Sequence, residues 1–272
     1  MKKILGQGLV VVGLFLGTWW LLSKIEWVSI FRVETISRDA EKKLGELMLE
    51  VFQQDSKEIK DSFATRALDS VVSRICFANG IDRTIIKVHL FSNEDVNAFA
   101  LPDGHLVVYS GLIADAKNSA ELAGVIAHEL AHIQLNHVTQ KLVKEIGISA
   151  LLTLTTGSGN GDAIRELTRT LSATAFDRAL ETEADKVGVE YLQKAKIDPA
   201  PLADFLLRMS DKQSEILEYF TWVSTHPDSK QRAKEIKAYC NSNKAQNSPP
   251  LTDSAWLTLK AIAVEEGANK TR

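Results

Sequence analysis

The chain has 272 residues, 45% hydrophobic and 25% charged, enough for one large domain or two small ones of ordinary globular composition. Lysine and arginine number 32 against 35 acids, a formal charge of −3 that excludes the basic signature of a nucleic-acid binder. Two cysteines, Cys76 and Cys240, exclude a disulfide framework and read more readily as separate buried thiols than as one bridge.

The first element is Ile4 to Leu22, ILGQGLVVVGLFLGTWWLL, which carries no charge and is long enough to cross a bilayer core of about 30 Å as a helix. Lys2 and Lys3 precede it, and Trp19, Trp20 and Trp27 lie where an interfacial aromatic belt would sit. No small-residue cleavage site follows Leu22, so an uncleaved anchor is expected over a signal peptide. The basic start predicts a cytoplasmic N-terminus and a translocated domain, with Lys24 and Arg32 opposing that orientation.

Apolar residues at helical spacing predict helices over 37–54 and 57–78, the second ending at Asn79-Gly80. TIIKVHLFS, 84–92, is β-branched and reads as a strand with His89 as a surface histidine. Asn97–Leu101 and His105–Tyr109 flank Pro-Asp-Gly and read as a hairpin. Asn118, with Glu121 as its capping-box partner, opens a long helix expected to run to about Ile146. Residues 147–162 end in a Gly/Ser/Asn run and read as a mobile loop. Helical segments follow over roughly 163–195, from Asp198-Pro199, and over 228–240. A linker, 241–254, then leads to a short amphipathic helix packed on the domain.

The long helix carries VIAHELAHIQLNH, 125–137. His128 and His132 are four apart and share one helix face, while Leu122, Ile126, Leu130 and Ile133 form an apolar stripe turned away from it. His-Glu-x-x-His is the spacing by which one helix gives zinc two nitrogen ligands and sets a glutamate, Glu129, beside the metal-bound water as general base. The metzincin extension is absent, since Leu135 and Val138 stand where Gly and His would be. On a continuous helix His137 points away from the pair and reads as structural. A third ligand must come from elsewhere, and DRALETEAD, 177–185, stacks Asp177, Glu181 and Asp185 at four-residue intervals. Like charges at that spacing repel, and a dication nearby would reverse the sign. One carboxylate would bind the metal and another, one turn on, would orient a ligand histidine. Chemistry alone does not separate Glu181 from Glu183.

HELAH with RALETEAD resembles the gluzincin family that contains the Ste-type CAAX prenyl protease, the bacterial membrane protease HtpX, and periplasmic and mitochondrial quality-control peptidases, the last two groups most of all. The resemblance covers roughly 30–240. It implies one Zn2+ per chain held by His128, His132 and Glu181, with Asp185 supporting a ligand from the second layer. NAFALPDGHLVVYSGLI, 97–113, is similar to the family's edge strand, which implies Asn97, Ala98 and Phe99 as substrate-binding residues that pair with extended polypeptide. THPDSKQR, 225–232, resembles its His-Pro-x-x-x-x-Arg, which implies His226 and Arg232 as catalytic groups near the zinc. They would stabilise an oxyanion, or His226 would cap the metal and hold the enzyme latent.

The expectation is a mainly helical α+β protein with a small sheet and an active-site helix in a zincin-type domain. Its expected parts are an anchor, 1–24, a catalytic domain, 25–240, and a C-terminal segment, 241–272. The expected function is a zinc endopeptidase acting on unfolded or membrane-associated proteins, single-pass in a bacterial inner membrane with its domain on the periplasmic side. The alternative is a latent, membrane-tethered chaperone or binding module for extended polypeptide.

Overall fold

The computed structural model of the chain describes residues 37–156, 161–212, 222, 225–240 and 247–268, together with 12 and 16–18. Contacts divide the chain into two units, Met1–Ile36 and Ser37–Arg272, and the second holds everything below. The apolar run 4–22 and the boundary expected after residue 24 lie outside the described residues, 12 and 16–18 apart. Among the described residues no helix is long and apolar enough to cross a membrane.

Helix α1 (Arg38–Asp55) starts where Ser37 Oγ accepts the Ala40 N–H at 3.2 Å, and it buries Leu44, Met48, Val51 and Phe52 on one face. Helix α2 (Ser62–Asn79) is capped by Asp61, which accepts the N–H groups of Phe63 and Ala64 at 2.9 and 2.8 Å, and it ends at Gly80 in the left-handed region. The expected start at residue 57 is too early. Residues 57–59 lie extended along the first strand, with Ile59 N–H donating to Leu90 O and Ser92 N–H to Lys57 O.

Three strands follow: β1 (Lys87–Phe91), β2 (Ala98–Leu101) and β3 (His105–Tyr109). Their order is β1-β3-β2, with β3 parallel to β1 and antiparallel to β2. The expected hairpin is present, and Asp103 and Gly104 turn it at φ 60° and 72°. The first strand starts later than expected because Asp82 caps a 3-10 turn over Arg83–Ile85. His89 is half-buried, its Nδ1 2.9 Å from Glu58 Oε1 and its Nε2 2.9 Å from His105 Nδ1. Burial, helped by the charge of Lys87, lowers His105 from 6.5 to about 4. The unfolded chain therefore takes up a proton between pH 6.5 and about 4 that the folded chain refuses. The contribution of this group to stability holds above that window and is lost as pH falls through it. His105→Gln should flatten the fall in melting temperature over the window; an unchanged slope would exclude His105 as a source.

Strand β3 runs straight into α3 (Ser110–Asp115), followed by α4 (Ser119–Gln134), α5 (His137–Ile146), α6 (Ile148–Thr155), α7 (Gly161–Ala173), α8 (Arg178–Lys194), α9 (Ala200–Lys212), α10 (Ser229–Cys240) and α11 (Asp253–Ala268). Helix α4 is the axis of the fold, packed against α8, α9 and β2, and from Glu121 to His132 it is buried on every side. Asn118 caps it as expected, but Glu121 does not return to Asn118. It accepts the Lys117 N–H and the Arg208 guanidinium instead, at 2.8–2.9 Å.

Two expectations fail around it. The long helix is broken at Asn136, which adopts φ 55°, a conformation that asparagine tolerates better than most residues. Residues 148–155 are helical rather than a loop, because Leu151 is buried where α6 packs on α1 and α5; residues 157–160 lie outside the described ones. The C-terminal helix α11 buries Trp256, Leu259 and Ala263 and belongs to the core. Arg74 ties down the approach to it through Ser248 Oγ and Pro249 O, both at 2.8 Å. Cys76 and Cys240 are both free. The architecture is thus α+β and mainly helical, with a three-stranded sheet.

Candidate metal centre

Helix α8 lies on α4 at Gly188, where a side chain would meet His128 N at 3.2 Å. That close approach brings the acids of α8 to the histidines of α4. His132 Nε2 lies 3.0 Å from His128 Nε2 and 3.4 Å from Glu181 Oε1. His128 Nε2 lies 3.6 Å from Glu181 Oε2. His226 adds Nε2 at 3.9 Å from Glu181 Oε1, and the four ligand atoms all lie within 4.8 Å of one another. A tetrahedral zinc with bonds of about 2.0–2.2 Å separates its ligand atoms by about 3.3–3.6 Å, so the spacing fits.

The polar bookkeeping fits as well. All four residues are buried, and Glu181 Oε1 and His226 Nε2 have no hydrogen-bond partner. A buried orphan of this kind costs about 1–3 kcal/mol, and several converging on one point call for a cation. Burial holds His128 and His226 well below 6.5 and His132 at about 3, so all three imidazoles are neutral, as metal ligands must be. The His226 Nδ1–H donates to Trp222 O at 3.0 Å, which leaves Nε2 as the lone-pair nitrogen facing the cluster. Burial raises Glu181, and a dication would favour its carboxylate.

Around this centre, Asp185 Oδ1 stands 3.0 Å from His128 Nδ1, though off the line of a good hydrogen bond. Arg232, itself buried, donates to both Asp185 oxygens at 2.6 and 2.7 Å and abuts Glu181 Oε2 through Nη1. Glu129 accepts the Trp222 indole N–H at 3.1 Å and the Ala100 N–H at 3.2 Å. Burial pushes its carboxyl up to about 8.

Residues 63–240 match peptidase family M48. The chain belongs to that family. M48 peptidases use zinc, the metal that this donor set suits. The chain is 26% identical over 225 residues to the beta-barrel assembly-enhancing protease of Yersinia pestis, covering 75% of this chain and 46% of the relative. It is 28% identical over 220 residues to the mitochondrial metalloendopeptidase OMA1 of Schizosaccharomyces pombe, covering 76% and 63%. A bovine mitochondrial metalloendopeptidase OMA1 matches at 28% over 215 residues, covering 70% and 40%. The chain thus spans less than two thirds of each of these relatives.

Within this M48 site the sequence-derived residues His128, Glu129, His132, Glu181, Asp185, His226 and Arg232 converge. Arg232, expected at a developing oxyanion, instead turns its N–H groups to two carboxylates. Asn97 and Ala98 are buried, and Phe99 packs on Phe52 and Tyr109 with ring centroids at 4.8 and 5.5 Å. The Tyr109 N–H bonds Asn97 O, so strand alternation turns the backbone groups of Ala98 and Ala100, not those of Asn97 and Phe99, to the open edge of β2.

Sequence reasoning missed Trp222, whose only signal was its place one helical turn before His226. It also missed Phe176 and Lys141. The Phe176 ring packs on His132 at 4.3 Å, and its N–H donates to Thr225 O at 3.1 Å. Buried Lys141, lowered to about 8 by burial, lies 4.2 Å over that ring and donates to Leu171 O and Thr174 O. The slot left between Phe99, Ala100, Leu171, Phe176 and His226 measures about 10 Å³, room for at most one water.

Proposed function

We propose that this chain is a zinc-dependent endopeptidase that cuts extended polypeptide. The convergence of His128, His132, Glu181 and His226 on one point, with orphaned polar atoms facing it and Glu129 alongside, carries the reading. Bound zinc supplies Lewis-acid polarisation of a carbonyl and of a water molecule. His128, His132 and Glu181 would hold it, and Asp185, 3.0 Å from His128 Nδ1, would orient His128. His226, whose Nε2 faces the same point, would be able to hold the metal as a further ligand and so keep the enzyme latent. Glu129, kept in place by Trp222 and Ala100, accepts a proton from the attacking water and passes it to the leaving amine. Arg232 positions Glu181 and Asp185. Substrate adds as a strand along β2, through the backbone of Ala98 and the carbonyl of Ala100, whose N–H stays with Glu129, flanked by Asn97 and Phe99.

The uncharged run 4–22 behind Lys2 and Lys3 supports a single-pass anchor in a bacterial inner membrane, with the peptidase unit on the periplasmic side. The likeness to a beta-barrel assembly-enhancing protease and to mitochondrial metalloendopeptidases supports a place in envelope protein quality control. The closed slot favours a second reading, a latent module that holds unfolded chain without cutting it. Full-length, zinc-loaded protein incubated with an unfolded protein decides between them: cleavage lost on chelation and regained with zinc supports the peptidase, and binding without cleavage supports the module. Glu181→Ala should lower the zinc content of the purified protein; wild-type content would shift the ligand role to Glu183.

A further inference from the structure

The break at Asn136 does more than end α4. Five residues along a continuous helix turn a side chain by about 140°, which would point His137 away from His132. With Asn136 at φ 55° the chain doubles back, and His137 Nδ1 comes to 3.0 Å from His132 Nδ1. His137 is buried, 1% exposed, and its other nitrogen, Nε2, lies 3.5 Å from Glu183 Oε2.

Only one proton arrangement suits this chain of groups. His132 faces the metal cluster with Nε2, so its proton sits on Nδ1. That N–H meets His137 Nδ1, which must then be the lone-pair nitrogen. The proton of His137 therefore sits on Nε2, towards Glu183. The opposite polarity would put a proton on His132 Nε2 and remove a ligand. Beside His128 Nδ1 stands a carboxylate, Asp185 Oδ1 at 3.0 Å; beside His132 Nδ1 an imidazole takes that place.

We propose that His137 is a positioning residue that fixes the tautomer and ring orientation of His132, with Glu183 as its outer acceptor. The proposal rests on the metal reading above. It explains a histidine that ligates nothing itself, and it gives Glu183 a part distinct from that of Glu181.

The test compares full-length wild type, His137→Leu and His137→Asn. Leucine fills the site without an acceptor, whereas the asparagine Oδ1 can stand where Nδ1 stood. Zinc affinity is measured by competition with a chelator, and stability by melting of the metal-free proteins. The expected result is zinc affinity about 10–100-fold weaker for His137→Leu and largely restored for His137→Asn, with both variants losing metal-free stability alike. Equal affinities for the two variants, or no loss with leucine, would overturn the proposal. Nitrogen-15 spectra of zinc-loaded wild type give a second reading that needs no variant: His132 protonated at Nδ1 and His137 at Nε2. A proton on His137 Nδ1 would overturn it even if the leucine variant does not fold. Wild type that binds no zinc would count against the metal reading itself.

Discussion

Glu129→Gln should retain zinc at the wild-type level and lose about 10²–10⁴-fold in cleavage of an unfolded protein, the range expected for removal of a general base. The substitution is nearly isosteric. Glu129 is 1% exposed, and burial raises its carboxyl from 4.5 to about 8, so without metal it is protonated at neutral pH. Glu129 accepts one N–H on each oxygen, from Trp222 and from Ala100, whereas an amide has a single acceptor oxygen and an NH2 that only donates. Glutamine therefore keeps one of the two bonds and leaves the other N–H facing its NH2, at a cost of about 1–3 kcal/mol to the fold, while the residues that would hold the metal are untouched and proton transfer is lost. The same shift makes a second expectation. Between pH 4.5 and about 8 the folded metal-free chain keeps a proton that the unfolded chain releases, so the contribution of Glu129 to stability declines as pH rises through that window. Glu129→Gln should remove that decline. Melting curves at several pH values check it, and wild-type turnover in the variant would take Glu129 out of the base role.

Removing Arg232 should have the largest effect on the fold. Its guanidinium is 3% exposed and is the direct counter-ion of both Asp185 and Glu181. Breaking a buried pair by deleting one partner costs about 3–5 kcal/mol, because the remaining charge is left uncompensated. Arg232→Met should therefore lower the melting temperature of the metal-free protein by about 6–20 °C at about 2–4 °C per kcal/mol. Excess zinc should return part of that loss, since the dication supplies charge beside Glu181 and binds the folded state alone. Arg232→Lys keeps the charge but not the planar fork and should fall between. A melting temperature unmoved in Arg232→Met would show that the carboxylates are balanced by something other than this residue.

The histidine pair and the acid stripe were legible because their signals are local, whereas Glu181 over Glu183, and His226, came only through the resemblance to the family. His128 and His132 lie one turn apart on one helix, and Glu181 and Asp185 one turn apart on another, so spacing alone put each pair on a shared face. The hairpin was legible for the same reason, through Pro102, Asp103 and Gly104. Three features were not. Asn136 breaks a helix that apolar periodicity would have continued, and its conformation is decided by packing on both sides. The 148–155 segment looked like a loop because the glycines after it outweighed its own leucines. Trp222 and Ala100 meet Glu129 only once the chain between them has folded, 93 and 29 residues away from it in sequence. Arg232 was found, but its partners lie on α8, and nothing in its local sequence says where a guanidinium will point.

Phe176 and Thr225 belong to segments far apart in the chain, yet one hydrogen bond joins them over the centre, and Lys141 pins the first of them from behind. If substrate adds along β2 as proposed, it displaces both segments together to reach that edge. The apparent affinity for any peptide is then its intrinsic affinity multiplied by the fraction of molecules with the cover lifted. On that reading a folded client, offering no free strand, should not compete with the cover. A long unfolded one should, so the cover would sort clients by foldedness before any side chain is read. An inhibitor small enough to reach the metal with only His226 moved aside would escape that filter, and it should outperform a peptide inhibitor of equal intrinsic strength.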